Sequence, residues 1–290
     1  MKKIHFLDGQ FVEDQDLKVS VRDLGFSRGF AVFAFFVTYN GRPFMAEKQV
    51  ERLFKSASLI NLPIPYTKEQ IYQWALETLA KNNNGKEKAV RIIVSGGVSE
   101  SVFSERTKPT LIIQVDERPH LPKECYENGI NAMTVKYTRY TPGAKTNHYI
   151  EAAKHRDSVN QLSAIEIIYY NDDGVKEGCV SNIFAVIDGK LVTPKSNILP
   201  GVTRGILIDL MNTEERDFSI LELRNATEIF VVSSNKEVLP VTRLDGITVG
   251  NGKVGIITKE SMEQYRKFVE ITIQNSYPFV ESPFIIEKVS

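Results

Sequence analysis

Residues 175–184 read VKEGCVSNIF and are the most informative segment of this chain. The segment follows a predicted turn, NDDG at residues 171–174, and leads into an apolar strand predicted for residues 181–187. Gly178, directly after Glu177, allows a close approach by another part of the backbone. A single glutamate beside a turn is most often an ordinary turn residue, so the interpretation of Glu177 depends on what accompanies it.

A second informative segment lies at residues 199–204 and reads LPGVTR. It precedes an apolar run at residues 206–210, which predicts a helix that begins within the segment. A helix N-terminus has free backbone amides, which can bind an anion together with Gly201 and the hydroxyl of Thr203. The usual ligand of such a site is a phosphate. The alternative is a plain helix cap made by Thr203.

Two basic residues could complete a site with these segments. Lys145 lies in PGAKTN at residues 142–147, between a predicted strand and a predicted helix, where its side chain can point into a cleft. Arg52 projects from the first predicted helix and could bind a phosphate bidentately. Because most lysines and helix arginines are solvated surface residues, neither residue is informative without the two segments.

The composition is that of a globular protein and argues against several classes of function. Among 290 residues, 42% are hydrophobic, and 36 basic side chains balance 36 acidic ones. This balance argues against binding to nucleic acid or to an anionic membrane. Two cysteines cannot build a disulfide framework, and the spacing of the four histidines predicts no metal site. Without a signal peptide or an apolar run of roughly 20 residues, we expect the protein to be cytoplasmic.

The rest of the sequence predicts an α+β architecture in two domains. A smaller N-terminal α/β domain is expected over residues 1–117, and a strand-rich C-terminal domain over residues 125–290. Residues 118–124 are predicted to form the linker, because Pro119 and Pro122 preclude a regular element there.

Hydrophobic periodicity predicts the elements within these domains. Residues 40–41 read NG, a strong hairpin turn, and Thr67 begins the capping box TKEQ of a helix. Strands are predicted at residues 30–39, 89–95, 110–116, 130–139, 165–170, 181–187 and 228–234. Helices are predicted at residues 47–60, 67–82, 148–162 and 256–273.

Taken together, the segments resemble the class IV aminotransferases, fold-type IV enzymes that use pyridoxal 5′-phosphate (PLP). The similarity spans about residues 6–267. Its most specific parts are EGCVSNIF and LPGVTR, supported by VERL at residues 50–53 and FVVSS at residues 230–234. PLP chemistry needs a lysine, an acid beside the pyridine nitrogen, an anion site for the phosphate and a substrate pocket. Lys145 and Glu177 match the first two of these needs.

The resemblance implies a D-amino acid aminotransferase-like fold and a role for each candidate residue. Lys145 would hold PLP as a Schiff base and, once released, shuttle a proton at the substrate Cα, while Glu177 would bind the pyridine nitrogen. Tyr149 would face the cofactor ring, with simple packing in its helix as the alternative. The resemblance also implies a homodimer. The phosphate would be held by Arg52, Val202, Thr203 and Ser234.

The family's reaction implies ping-pong transfer of an amino group from an amino acid to a 2-oxo acid. An apolar L-amino acid of the branched-chain kind is the expected donor, because Arg91 matches a strand arginine of branched-chain enzymes and Phe33 matches a pocket aromatic. A structural ion pair is the alternative role for Arg91. Ala34 stands where relatives often carry an acid, and Ser101 and Phe103 stand where D-amino acid enzymes carry arginine and histidine.

A PLP-dependent lyase is the alternative function. An enzyme of the aminodeoxychorismate lyase type would use the same Lys145 and Glu177 but would release pyruvate. The start of the loop after the strand at residues 89–95 reads GGVS, whereas these lyases tend to carry an arginine–glycine pair there. The sequence therefore favours the aminotransferase.

Overall fold

The structure, a computed structural model, describes residues 2–103 and 108–275. Two β-sheets of six and nine strands form its framework, and helices pack on both, so the α+β prediction is confirmed. Residues 276–290, which the sequence assigns to the second domain, lie outside the described residues. Within the described ranges, every helix is too short or too polar to span a membrane.

The first sheet is built by the N-terminal part of the chain. Its strands are β1 (Ile4–Leu7), β2 (Gln10–Glu13), β3 (Ala31–Tyr39), β4 (Arg42–Pro43), β5 (Lys88–Ser95) and β6 (Thr110–Glu117). They lie in the order β2-β1-β6-β5-β3-β4, and all neighbours are antiparallel. Asn40 and Gly41 both have positive φ (52° and 72°), as the predicted NG turn between β3 and β4 requires.

Three helices accompany this sheet: α1 (Leu24–Arg28), α2 (Ala46–Leu59) and α3 (Lys68–Lys81). Alternate residues of β3, among them Val32, Ala34 and Phe36, are buried in a core shared with the apolar face of α2. The predicted capping box is present, since Thr67 and Gln70 exchange side-chain and backbone hydrogen bonds.

The second sheet is built by the C-terminal part of the chain. Its strands are β7 (Ile130–Lys136), β8 (Ala164–Asn171), β9 (Gly174–Gly178), β10 (Asn182–Ile187), β11 (Lys190–Thr193), β12 (Thr213–Glu215), β13 (Glu228–Ser233), β14 (Glu237–Leu244) and β15 (Ile247–Thr248). Eight lie in the order β12-β11-β10-β13-β14-β7-β8-β9, and β15 pairs with β14. Strand β7 runs parallel to both of its neighbours.

Six further helices belong to this half of the chain: α4 (Glu124–Glu127), α5 (Ile150–Lys154), α6 (Arg156–Gln161), α7 (Val202–Leu210), α8 (Ile220–Arg224) and α9 (Ile256–Asn275). Helices α7 and α9 pack with β13 around the stacked rings of Phe184 and Phe230.

The β3–β4 hairpin of the first sheet is anchored on the second. Phe44, just after β4, is buried in the second sheet's core, with its ring centroid 6.2 Å from that of Tyr265. The Tyr39 hydroxyl donates to Glu237 Oε1 at 2.8 Å, and Arg118 pairs with the same oxygen at 3.0 Å. The contact lets both sheets contribute to one site. The domain division at residues 118–124 stays a prediction.

Two predicted elements are wrong in extent. The helix expected at residues 148–162 is two short helices, α5 and α6, because His155 leaves the helical conformation (φ −91°, ψ 11°). The strand expected at residues 130–139 ends at Lys136, and the chain continues as an irregular loop along a cavity. Elements that were not predicted include helices α1, α4 and α8 and strands β1, β2, β9 and β14.

Candidate active site

A cavity of about 480 Å³ lies where the two sheets meet, within the usual size range of small-molecule sites. Strands β3 and β5 and helix α2 form one side, while β9, the end of β13 and the start of α7 form the other. The structure brings together all nine residues predicted for the site: Phe33, Arg52, Arg91, Lys145, Tyr149, Glu177, Val202, Thr203 and Ser234. Within the described ranges, no cluster of three or more His, Cys, Asp or Glu side chains could hold a metal ion.

Hydrogen bonds fix the backbone of Lys145, and its side-chain amine lines the cavity. Its N–H donates to the Ser56 hydroxyl at 3.0 Å, and its carbonyl accepts from Phe33 N at 2.9 Å. The Nζ atom lies 4.6 Å from the centre of the Phe33 ring. Burial, reinforced by the charges of Arg52 and Arg139, lowers the pKa of Lys145 to about 7. The amine is therefore available as a nucleophile near neutral pH.

Glu177 is a buried carboxylate near the end of β9. Its Oε1 pairs with Arg139 Nε at 2.9 Å, and its Oε2 accepts from Leu199 N at 3.1 Å and from Asn182 Nδ2 at 3.5 Å. Burial raises the pKa of Glu177, and the Arg139 guanidinium opposes that rise. The pair thus directs a stabilised carboxylate into the cavity.

The far end of the cavity combines groups suited to an anion. Helix α7 begins at Val202, so the amides of Val202 and Thr203 belong to its unpaired first turn. Arg52 is buried, with burial lowering its pKa to about 10, and its Nε has no hydrogen-bond partner among the described residues. A Cβ on Gly201 would lie 1.9 Å from Asn182 Oδ1, so a larger residue here would have to displace the Asn182 side chain.

Gln49 joins two of the anion-binding candidates across the sheets. Its Oε1 accepts from Arg52 Nη2 at 2.6 Å, and its Nε2 donates to the Ser234 hydroxyl at 3.0 Å. Gln49 is buried, so both contacts are shielded from water. Arg52 from α2 and Ser234 from the turn after β13 are thereby held in one geometry.

An aromatic wall and one arginine face the remaining space. Arg91 lies 5.7 Å from the Phe33 ring centre and 6.0 Å from that of Phe35, and no ion pair of Arg91 is found within residues 2–103 and 108–275. The structural ion pair considered for Arg91 is therefore not found in this part of the chain. Tyr149 precedes α5 instead of packing within a helix, and its ring lies 6.2 Å from that of Phe33.

Sequence reasoning missed four residues that position the site: Ser56, Gln49, Arg139 and Asn182. Asn182 stands within the quoted EGCVSNIF segment, so that segment was the available signal. Arg139 was assigned to a strand, and nothing near it in the sequence indicates its contact with Glu177. Gln49 and Ser56 flank Arg52 on α2, where helical spacing predicts only that they share its side of the helix.

The lowered pKa of Lys145 predicts the pH dependence of its reaction with PLP. Attack on an aldehyde needs the unprotonated amine, so the rate of covalent capture by cofactor-free protein should rise with pH through about 7 and level off above it. An ordinary lysine, with a pKa of about 10.4, would keep gaining rate beyond pH 9. Borohydride reduction after short incubations, followed by peptide mass spectrometry, measures the rate at Lys145. Exposed Lys154 is the internal reference, and the same pH profile at both lysines would contradict the expectation.

Comparison with known proteins identifies a family for this chain. Residues 31–244 match the model of the family Amino-transferase class IV. A putative branched-chain-amino-acid aminotransferase of Methanocaldococcus jannaschii is 34% identical over 276 residues, or 90% of this chain and 94% of that protein. A D-alanine aminotransferase of Staphylococcus haemolyticus is 32% identical over 276 residues, or 91% and 97% of the two chains. The crystal structure of the branched-chain aminotransferase of Thermoproteus uzoniensis with norvaline has a TM-score of 0.84 and 27% identity, over 93% of this chain and 95% of that one.

Proposed function

The chain belongs to the class IV aminotransferases, a PLP-dependent family of fold type IV, and from that premise we propose that it transfers the amino group of an apolar L-amino acid to a 2-oxo acid by a ping-pong mechanism. The observation that carries the proposal is one cavity lined by Lys145, the Arg139–Glu177 pair and an anion-binding end. The family match and the relatives do not favour the lyase alternative.

The residues of the cavity fit PLP. Lys145 offers an amine with a lowered pKa for the aldehyde. Glu177 offers a carboxylate for the pyridine nitrogen, and Arg52 Nε offers a buried donor without a partner in the described structure. The amides of Val202 and Thr203, with the Ser234 hydroxyl, would complete the phosphate site.

When bound, PLP supplies an electron sink that stabilises negative charge at the substrate Cα. Once its amine is free, Lys145 would remove the proton from the substrate Cα and would then pass that proton to the cofactor. The Arg139 guanidinium opposes the rise in the pKa of Glu177 that burial causes, and so it favours the ionised carboxylate that would hold a proton on the pyridine nitrogen. The rings of Phe33 and Tyr149 form the cavity wall beside the Lys145 amine and exclude water from the amine.

The substrate end supports an apolar donor with one carboxylate contact. Phe33, Phe35 and Ile93 line it with apolar surface, which suits an aliphatic side chain. Arg91 lies on this wall and has no ion pair among the described residues. A substrate carboxylate would therefore pair with its guanidinium. Relatives named for branched-chain and for D-alanine substrates are both similar to this chain, so the donor has to be tested in both configurations.

A homodimer completes the proposal. Phe103 and Tyr140 are 96% and 93% exposed, and Ile150 is 81% exposed. Exposed large apolar side chains favour protein–protein contact. Tyr140 and Ile150 directly follow Arg139 and Tyr149, which line the cavity, so a partner covering them would also border the site.

The proposed function predicts which amino acids discharge the cofactor. Purified protein loaded with PLP should change its absorption spectrum to that of the pyridoxamine form with L-leucine or L-valine, and not with D-alanine. Arg91→Met should raise the KM of a carboxylate substrate about 10- to 100-fold, the value of one charge-assisted contact. Arg243→Met, at an exposed position, is the matched control.

Two outcomes would contradict the proposal. A PLP spectrum unchanged by every amino acid, with release of pyruvate from aminodeoxychorismate, would identify a lyase. Discharge by D-alanine alone would keep the aminotransferase but reverse the proposed configuration of the donor.

A further inference from the structure

Outside the groups used above, Glu166 on β8 is a fully buried charged residue of the described chain. Its side chain is fully buried and pairs with Lys236 Nζ at 2.9 Å. Four more donors point at the same carboxylate: Ile167 N at 3.0 Å, Cys179 N at 3.1 Å, Cys179 Sγ at 2.9 Å and Ser181 Oγ at 2.6 Å. A carboxylate with five donors is held in one position and in one ionisation state.

Four of the five donors come from two separate walls of the cavity. Cys179 and Ser181 belong to the connection between β9 and β10, which directly follows Glu177. Lys236 belongs to the turn between β13 and β14, which carries Ser234. Lys236, Cys179 and Ser181 all line the cavity, so Glu166 lies behind both walls and contacts each.

The packing leaves little freedom at this junction. A Cβ on Gly178 would lie 3.0 Å from Glu166 Cδ and 2.1 Å from Ser181 Oγ, so the backbone after Glu177 rests directly on the buried carboxylate. Burial by itself would raise the pKa of Glu166, but Lys236, Cys179 and Ser181 outweigh it and hold the pKa below its usual value. Burial and, next to it, the same carboxylate raise the pKa of the half-buried Cys179 thiol, which stays a hydrogen-bond donor.

We propose that the Glu166–Lys236 ion pair positions two walls of the cavity relative to each other. One, the ring-nitrogen wall, carries Glu177, and the other, the phosphate wall, carries Ser234; the ion pair sets the distance between them. The inference rests on the proposed function, because PLP is the molecule that spans both walls. The affinity of a ligand that contacts both walls depends on the distance between them, whereas the affinity of a ligand that contacts one wall does not.

Two variants separate this role from a purely structural one. Lys236→Met leaves the Glu166 carboxylate buried without its counter-ion, which lowers stability as well as altering the site. Glu166→Gln with Lys236→Met removes both charges together, so no uncompensated charge remains and folding should recover. The link between the walls stays broken in both variants. Lys267→Met, which removes an exposed ion pair with Glu263 on α9, is the matched control.

Three quantities are measured on each purified protein: the urea midpoint of the cofactor-free form, the dissociation constant of PLP, and that of inorganic phosphate by calorimetry. For the double variant we expect a urea midpoint close to that of the wild type. We expect its PLP dissociation constant to be raised about 10-fold or more, which corresponds to the loss of one or more contacts. The phosphate dissociation constant should change by less than about three-fold, because phosphate contacts one wall alone.

Each other result overturns the inference. Recovery of PLP affinity together with stability in the double variant would make the pair structural only. An equal loss of phosphate and PLP affinity would assign the pair to the phosphate wall alone. Wild-type protein that takes up no PLP would overturn the proposed function and this inference with it, whereas tight wild-type binding with unchanged variants would overturn the inference alone.

Discussion

Lys145→Ala is expected to lower kcat by at least about 10,000-fold, about 5 kcal/mol of activation free energy. The side chain is both the nucleophile that holds the cofactor and the base that moves the Cα proton, and alanine replaces neither role. The backbone contacts of residue 145 with Ser56 and Phe33 do not involve the side chain, so the fold should persist. Steady-state transamination with a saturating donor and added PLP gives kcat, and borohydride reduction followed by mass spectrometry shows whether PLP is attached.

Lys154→Ala is the control for this experiment, because Lys154 is an exposed lysine of α5 with a surface ion pair to Glu151. It should keep full activity, since exposed pairs contribute little. Activity of Lys145→Ala within about ten-fold of the wild type would contradict the assignment of the catalytic amine. Exogenous methylamine should restore part of the lost rate by replacing the base.

Glu177→Gln is expected to lower kcat by about 100-fold or more, about 2.7 kcal/mol. The amide keeps the size of the side chain and can still accept from Leu199 N, but it cannot hold a proton on the pyridine nitrogen. The dissociation constant of PLP should change less than kcat, because the phosphate end is untouched. The substitution also leaves Arg139 without its ion-pair partner in a largely buried position, which costs stability.

A second variant separates the chemical effect from this loss of stability. Glu177→Gln with Arg139→Gln removes both charges and should regain the unfolding midpoint of the wild type while staying as inactive as the single variant. Wild-type kcat in either protein would show that Glu177 does not control the protonation of the cofactor ring. Glu151→Gln, at a surface ion pair, serves as the control.

Much of the site could be predicted from local sequence. EGCVSNIF and LPGVTR indicated Glu177, Val202 and Thr203, and all three line the cavity with Lys145. These segments are informative because local structure constrains them: Gly201 packs directly against the Asn182 side chain, and a helix N-terminus leaves amides unpaired. The NG turn and the Thr67 capping box were predictable for the same reason, since each depends on four neighbouring residues or fewer.

Both elements that were predicted with the wrong extent have one end at the cavity. The strand expected to reach residue 139 stops at Lys136, and the following loop directs Arg139 toward Glu177. The helix expected at residues 148–162 begins only after Tyr149, whose ring lies beside Phe33. Local propensity extends both elements through these positions, and contacts with distant residues override it.

From the sequence alone, local patterns predicted the α+β class, and the motifs together with the family resemblance that they carry predicted nine of the residues that line the cavity. The supporting contacts could not be predicted: Gln49 meets Ser234 across 185 residues, and Glu166 meets Lys236 across 70. Such pairs exist only after the strand order of the second sheet and the anchoring of Phe44 have brought separate segments together. In an extended chain, water can hydrogen-bond to a charged or amide side chain, so no protein partner is preferred. Once folding excludes water, the side chain must form a hydrogen bond or ion pair with whichever group the fold brings near it.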